Sequence, residues 1–264
     1  MKLALIQMPV VESKQANLKY ALRKIEKASE LGARLIVLPE MFVCPYATRF
    51  FAENAEDFGG ESQALMSDAA KKHGVTLVAG TIPERCEGKL YNTSFVYGPD
   101  GRQIARHRKV HLFDIDIAGG PHYKESATFA AGSDVTVFDV DSYRVGLCIC
   151  FDIRFPELLR MTTLAGAELI VLPAAFSKAT GTMHWDLALR SKAVDNQLFI
   201  AGCSPARRKP YEVYAHSLVA DPWGKVIARA GTRPEMLICD LDMDEPGRVR
   251  AQLPLLSARR TDLY

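Results

Sequence analysis

The stretch "GARLIVLPEMF" (Gly32 to Phe42) returns later in the chain as "GAELIVLPAAF" (Gly166 to Phe176). Each copy follows a helical pattern, and each of those helices follows an apolar strand, "KLALIQM" in one half and "RVGLCIC" in the other. The repeated object is therefore a β-α-β unit rather than a short solenoid period. In the first half, Leu18, Ala21, Leu22, Ile25, Ala28 and Leu31 recur at helical spacing. "ARLIVLPE" reads as a second buried strand, Ser62 to His73 as a helix stopped by Gly74, and "VTLVAGTIPE" as a third strand. "TSFVYGPDGRQIARH" predicts a hairpin around Gly98, Pro99, Asp100 and Gly101. The polar, irregular segment from His111 to Ser126 reads as a surface loop, long enough to suggest function. Two such halves, each a sheet with helices on its outer face, would pack sheet against sheet. The expected fold is α/β, a four-layer α-β-β-α sandwich of two pseudo-repeated halves. No linker rich in Gly, Ser or Pro divides them, so residues 1–264 are read as a single domain.

Composition supports a real core and argues against several partners. The chain has 264 residues, 48% of them hydrophobic and 24% charged, with a formal net charge of +2. That balance is ordinary for a globular domain and implies neither a nucleic-acid partner nor an acidic surface. The opening "MKLALIQMPVVES" lacks the length and cleavage site of a secretory signal and reads as a strand. No apolar run reaches the roughly 18 residues of a membrane span, so no membrane partner is implied and a cytoplasmic setting is the default. The six cysteines then read as free thiols rather than disulfides. Cys148, Cys203 and Cys239 lie in apolar strand-like runs and read as core residues.

The repeat also isolates a residue that folding does not require. Glu40 in the first copy is Ala174 in the second. A carboxylate that its structural equivalent dispenses with, placed just past a run of Leu, Ile and Val, is a candidate for chemistry. The other candidate is Cys150 in "GLCICFDIRFPE". Cys148 sits inside its strand, whereas Cys150 is the last residue before a strand-to-helix turn, with Pro156 and Glu157 opening the next helix. Unpaired backbone N–H groups in such a turn favour a thiolate and can hold an oxyanion. From local sequence, a nucleophile and a core or redox thiol remain equal readings of Cys150. A nucleophilic thiol needs a base, and no histidine offers an obvious partner. His107 and His111 have metal-like spacing, but the basic residues between them argue against a metal site. Partial burial would raise the pKa of Glu40 and fit it to move protons near neutrality. In "RHRKVHLFD", Arg106, Arg108 and Lys109 read as a basic edge, yet the apolar residues after Lys109 allow it to point inward, towards a thiol and an oxyanion.

The blocks "LPEMF", "HRKVHLFDID" and "GLCICFDIRFPE" resemble, in order, the three motifs of the nitrilase or carbon–nitrogen hydrolase superfamily. The resemblance implies a Glu-Lys-Cys triad on a nitrilase-like α-β-β-α sandwich: Glu40 as general base, Lys109 as oxyanion stabiliser and Cys150 as nucleophile. It implies that Glu125 in "HYKES" supports Lys109 and the proton transfers, that the Phe151 N–H shares the oxyanion, and that Tyr46 and Phe176 line the pocket. "CPYA", "HLFDIDIAGG", "ATGTMHWDLALRSKAVDNQLFIAGCSPAR", "HSLVADPWGKVIARAG" and the terminal "RRTDLY" are further similar to ω-amidases, over nearly the whole chain. Lys178, Ala179 and Ala215 depart from that pattern. The resemblance implies hydrolysis of the terminal amide of a small α-keto acid amide, through a thioester, with no metal or organic cofactor, by a homodimer. A dicarboxylate-like substrate calls for a cation at its far end, for which Arg154 is the candidate, with Lys178 as a second positive charge. The rival readings are a deaminated glutathione amidase, an N-carbamoyl hydrolase or nitrilase, and a non-enzymatic thiol switch using Cys148 and Cys150.

Overall fold

The computed structural model describes residues 1–119 and 122–263. Its first β-α-β unit follows the spacing of the sequence. Strand β1 (Lys2–Gln7) leads into helix α1 (Lys14–Glu30) and then strand β2 (Leu35–Val37). The Ser13 hydroxyl accepts from Ala16 N at the start of α1, and Leu18, Ala21, Ile25 and Ala28 bury one face of it. A short helix α2 (Thr48–Phe51) and helix α3 (Glu61–His73) follow, and Gly74 ends α3 at φ +61° as a left-handed cap. Next come strands β3 (Thr76–Val78), β4 (Ile82–Cys86), β5 (Lys89–Tyr97) and β6 (Gln103–Arg108), and the small pair β7 (Asp114–Asp116) and β8 (His122–Lys124). The second half runs through β9 (Thr136–Val140), β10 (Tyr143–Leu147), α4 (Pro156–Leu164), β11 (Leu169–Pro173), α5 (Lys178–Asn196), β12 (Phe199–Cys203), β13 (Leu218–Ala220), β14 (Val226–Arg229), β15 (Glu235–Asp240) and α6 (Glu245–Gln252).

Two large sheets result. One has the order β15-β1-β2-β3-β5-β4, with β6 also on β5, and the other the order β14-β13-β12-β11-β10-β9. In each, three strands run parallel, β1-β2-β3 and β10-β11-β12, and the repeated Leu-Ile-Val occupies the central strand. The copies keep the same alternation. Leu35 and Val37 face the same inter-sheet core as Leu169 and Val171, together with Leu3, Leu5, Val145, Leu147 and Phe199. Ile36 faces outward onto α1 and α3, and Ile170 onto α4 and α5. These three apolar clusters are the contents of a four-layer sandwich.

Four expectations need correction. "VTLVAGTIPE" is not one strand: it breaks at Gly80 (φ +51°) into β3 and β4, because the chain passes so close to Pro39 O that a Cβ has no room there. The halves do not keep to separate sheets, since β15 crosses back and pairs antiparallel with β1, removing an exposed edge from an almost wholly buried strand. The segment from His111 to Ser126 is partly ordered by the β7–β8 pair, with residues 120 and 121, like the terminal Tyr264 of "RRTDLY", outside the described residues. Cys148 and Cys203 are fully buried, but Cys239 is only partly so. Among the described residues no helix is long and apolar enough to cross a membrane.

Candidate active site

Glu40 follows β2 and Cys150 follows β10, so the two sit at corresponding ends of strands in different sheets. They meet across the sandwich, because the repeat places one copy in each sheet. The turn carrying Glu40 is tied down on both sides: Met41 N donates to Thr81 Oγ1 (2.9 Å), Phe42 N to Thr81 O (3.2 Å) and Thr81 N to Pro39 O (3.3 Å).

Lys109 is the first residue past β6, and it points inward with no exposed surface. Its backbone is held by Asn92 O (2.9 Å) and by Gly132 N on its own carbonyl (2.8 Å). Its Nζ lies 3.0 Å from Glu40 Oε1 and 2.9 Å from Glu125 Oε2. The loop that follows delivers Glu125: Phe113 N donates to Glu125 Oε2 (2.6 Å), and Glu125 opens a turn of 3₁₀ helix with its side chain fully buried. Tyr46 OH donates to Glu125 Oε1 (2.7 Å) and lies 3.4 Å from Lys109 Nζ. Asn92 on β5 completes the cluster, donating to Glu40 Oε1 (2.8 Å) and Glu125 Oε1 (3.2 Å). Sequence reading missed Asn92. Its strand, "KLYNTSFVY", mixes polar and apolar residues, so nothing in the sequence sets this amide apart.

Cys150 heads a short 3₁₀ helix, Cys150–Arg154, and takes φ +45°, a left-handed conformation costly for a residue with a Cβ. Such a sharp turn at the end of a strand pushes a side chain out of the sheet, and Cys150 keeps 7% of its surface exposed while Cys148 keeps none. Burial first, and the Glu40 carboxylate second, push the Cys150 thiol well up, against the pull of Lys109 and a backbone bond from Ala175. Burial also raises Glu40; Lys109 opposes this and Glu125 adds to it. Burial alone would lower Lys109, but Glu125, Glu40 and Cys150 outweigh it and hold its ammonium well above the usual range. Glu40 Oε1 is occupied by Lys109 and Asn92, and Glu40 Oε2 is buried with no hydrogen-bond partner among the described residues. The cluster thus places a thiol, a buried carboxylate and an ammonium held by two carboxylates side by side.

Cys150, Phe151, Arg154, Phe176 and Thr180 line a narrow recess. It shares Tyr46, Phe113, Ala175 and Ser177 with a cavity of about 280 Å³ that reaches Glu40. Arg154 is not paired with Asp152 or Glu157 in the described structure. Its Nη1 lies 3.2 Å from His184 Nδ1, and its guanidinium sits 5.2 Å from the Phe176 ring centre and 5.7 Å from that of Phe151. Lys178 falls outside both linings; it is 57% exposed and faces Glu212 at 3.5 Å. His107 and His111 both turn to the Asp152 carboxylate, and no group of three or more potential metal ligands occurs among the described residues.

The carbon–nitrogen hydrolase family profile matches residues 2–251. The chain is 44% identical over 265 residues to a Bos taurus protein named omega-amidase NIT2, covering 100% of this chain and 96% of the relative. It is 43% identical to the Homo sapiens protein of the same name, with the same coverage. Among solved structures it is similar to Saccharomyces cerevisiae Nit3, described as a member of branch 10 of the nitrilase superfamily, with a TM-score of 0.89, 38% identity and coverage of 98% and 96% of the two chains.

Proposed function

The chain belongs to the carbon–nitrogen hydrolase family, and from that premise we propose that it is an ω-amidase, hydrolysing the terminal amide of small α-keto acid amides such as α-ketoglutaramate and α-ketosuccinamate. Full-length similarity to proteins named omega-amidase supports the activity. The geometry that carries the mechanism is the buried Glu40 carboxylate, held through Oε1 by Lys109 and Asn92, beside the Cys150 thiol.

In this mechanism Glu40 takes the Cys150 proton as sulfur attacks the amide carbonyl. Lys109 and the Phe151 N–H hold the developing oxyanion, where a fixed cation in a dry site is worth far more than in water. Glu40 returns the proton to the leaving nitrogen, ammonia departs, and a thioester remains. Glu40 then draws a proton from water, which attacks the thioester; as the C–S bond breaks, the acid is released and Glu40 returns that proton to the Cys150 sulfur. Two moderate steps replace one difficult hydrolysis. Glu125, held by Phe113 N and Tyr46, shares the Lys109 ammonium with Glu40, so the cation stays in place while Glu40 gains and loses its proton.

The Arg154 guanidinium, beside Cys150 in the recess, is the cation for the substrate's far carboxylate. Phe176 and Tyr46 form walls of the same space. Lys178 is outside the lining of both spaces, and it pairs with Glu212, which lines the adjoining cavity, so this reading gives it no direct substrate contact. The proposal includes a homodimer, which light scattering would test, and a cytoplasmic setting in keeping with six unpaired thiols.

The test is ammonia release from α-ketoglutaramate beside deaminated glutathione, an N-carbamoyl amino acid and a simple nitrile. Preferential turnover of α-ketoglutaramate is the expected result. Preference for any of the others would overturn the substrate assignment.

A further inference from the structure

Behind the site, one buried carboxylate ties the segment carrying Lys109 to the turn carrying Cys150. Asp152 has no exposed surface and accepts four hydrogen bonds. Ile149 N (2.9 Å) and His107 Nε2 (3.3 Å) reach Oδ2, while His111 N and His111 Nδ1 (both 2.9 Å) reach Oδ1. His107 and His111 flank Lys109 two residues to either side, and Ile149 immediately precedes Cys150. The backbone closes the same loop, since Asp152 N donates to Ile149 O (3.0 Å) and Phe155 N to Asp152 O (3.0 Å). The His111 ring stacks on Phe155 at 3.6 Å between centres and 6° between planes. His107 is anchored from behind by Thr136 Oγ1 (2.9 Å). Burial alone would raise the pKa of Asp152, but the two imidazoles and Ile149 N hold it well below the usual carboxylate range.

We propose that Asp152, with His107 and His111, is a positioning clamp that sets Lys109 against Cys150 and holds the turn at Cys150 in its left-handed conformation. The inference rests on the roles given above to Cys150 and Lys109. The carboxylate touches neither the reacting atoms nor the recess; it acts through the two segments it joins. A strained residue persists only where its surroundings over-determine it. Here the residue before Cys150 and the residue two beyond it are bonded to each other through both backbone and side chain. The same side chain holds both flanks of Lys109, so a shift of one partner is carried to the other.

Asp152→Asn is the direct test. An amide has one accepting oxygen and one donating nitrogen, so either Ile149 N and His107 or both His111 donors lose their acceptor whichever way it turns. The expected result is a fall in kcat on the order of 100-fold, the usual consequence of misplacing a catalytic group by about 1 Å, with KM changed less than about threefold. Alkylation of Cys150 by iodoacetamide should slow about tenfold as the thiol loses its fixed cation and N–H groups. Should Asp152→Asn not fold, the His111 pair decides: His111→Ala lowers kcat and slows alkylation, and His111→Asn, whose amide nitrogen can replace Nδ1 as donor, recovers most of both. A folded Asp152→Asn enzyme with kcat and alkylation within about threefold of wild type overturns the clamp, as does a His111→Asn variant no better than His111→Ala. If the wild-type protein turned over no amide, the proposed function would fail, while the alkylation rates would still decide the clamp.

Discussion

Arg154 is half-buried between two aromatic rings beside the thiol, and a guanidinium there suits a planar carboxylate. Arg154→Ala is expected to raise KM for α-ketoglutaramate at least tenfold, with a much smaller change in kcat, since the bond is made in ground and transition states alike. Steady-state kinetics on the purified variant checks this; an unchanged KM removes Arg154 from the binding role. In the proposed mechanism, Asn92 holds the Glu40 oxygen that does not accept the proton. Asn92→Ala should lower kcat about tenfold or more by freeing that carboxylate to rotate, and single-turnover ammonia release measures it. In the proposed mechanism the pH profile follows from the Glu40 carboxyl, which acts as base. Burial raises its pKa, and the base must be ionised to act. Falling pH therefore protonates Glu40 and removes activity, and the acid limb of kcat/KM lies above the ordinary carboxylate value of about 4.3. A limb at or below that value contradicts the assignment of base. Glu40 was legible because the second copy of the repeat has alanine in its place. Cys150 was legible only to even odds, since the left-handed turn that separates it from Cys148 has no local code. Asn92 and Asp152 gave no usable sign, because their roles depend on partners far away in the chain.

Turns and strand ends, more than helices, place the reacting groups. Gly132 N donates to Lys109 O, and a Cβ on Gly132 would overlap the backbone carbonyl of Arg108. Gly132→Ala must displace the backbone just before Lys109, so kcat is expected to fall at least tenfold even in the folded fraction of the variant. Normal kcat would show that Lys109 is not held by this contact. Beneath the same strand, Glu84 on β4 accepts a two-pronged bond from Arg108 (2.8 and 2.9 Å), one from Thr93 (2.7 Å) and one from Arg106 (3.3 Å). Burial would raise its pKa, but Arg108 and Thr93 hold it below the usual range. A depressed carboxylate stabilises the fold above its unfolded pKa of about 4.3, and that contribution is lost as pH falls through the lower folded value. Glu84→Gln should therefore cost about 2 kcal/mol at neutral pH, with the deficit shrinking in acid, as denaturant titrations at the two pH values would show. The basic run Arg106, Arg108 and Lys109 is thus split by strand alternation: the two arginines serve this structural carboxylate and Lys109 turns the other way. The sequence allows Lys109 to point inward, but Glu84 as the partner of the arginines is a matter of register between β4, β5 and β6.

At the scale of the whole molecule, the repeat sets the architecture. Two β-α-β copies, packed sheet to sheet, bring corresponding strand ends together, one supplying a carboxylate and the other a thiol. That layering was legible from periodicity and internal similarity. The crossing of β15 into the first sheet was not, because no local pattern states which edge a late strand will cover. Glu125 likewise depends on a loop folding back, which the family resemblance suggested and composition did not. Leu3 lies in the inter-sheet core, paired with Leu35 at the end of the sheet away from Glu40. Leu3→Ala should cost about 3 kcal/mol of stability and leave kcat within about twofold at temperatures below the transition, measured by calorimetry and steady-state assay. The central claim, that one thiol carries the hydrolysis, is tested most directly by ammonia release from α-ketoglutaramate by Cys150→Ala, its folding verified by its melting temperature. Loss of turnover by about 10⁴-fold or more is the result this account predicts. Turnover within tenfold of wild type would contradict it.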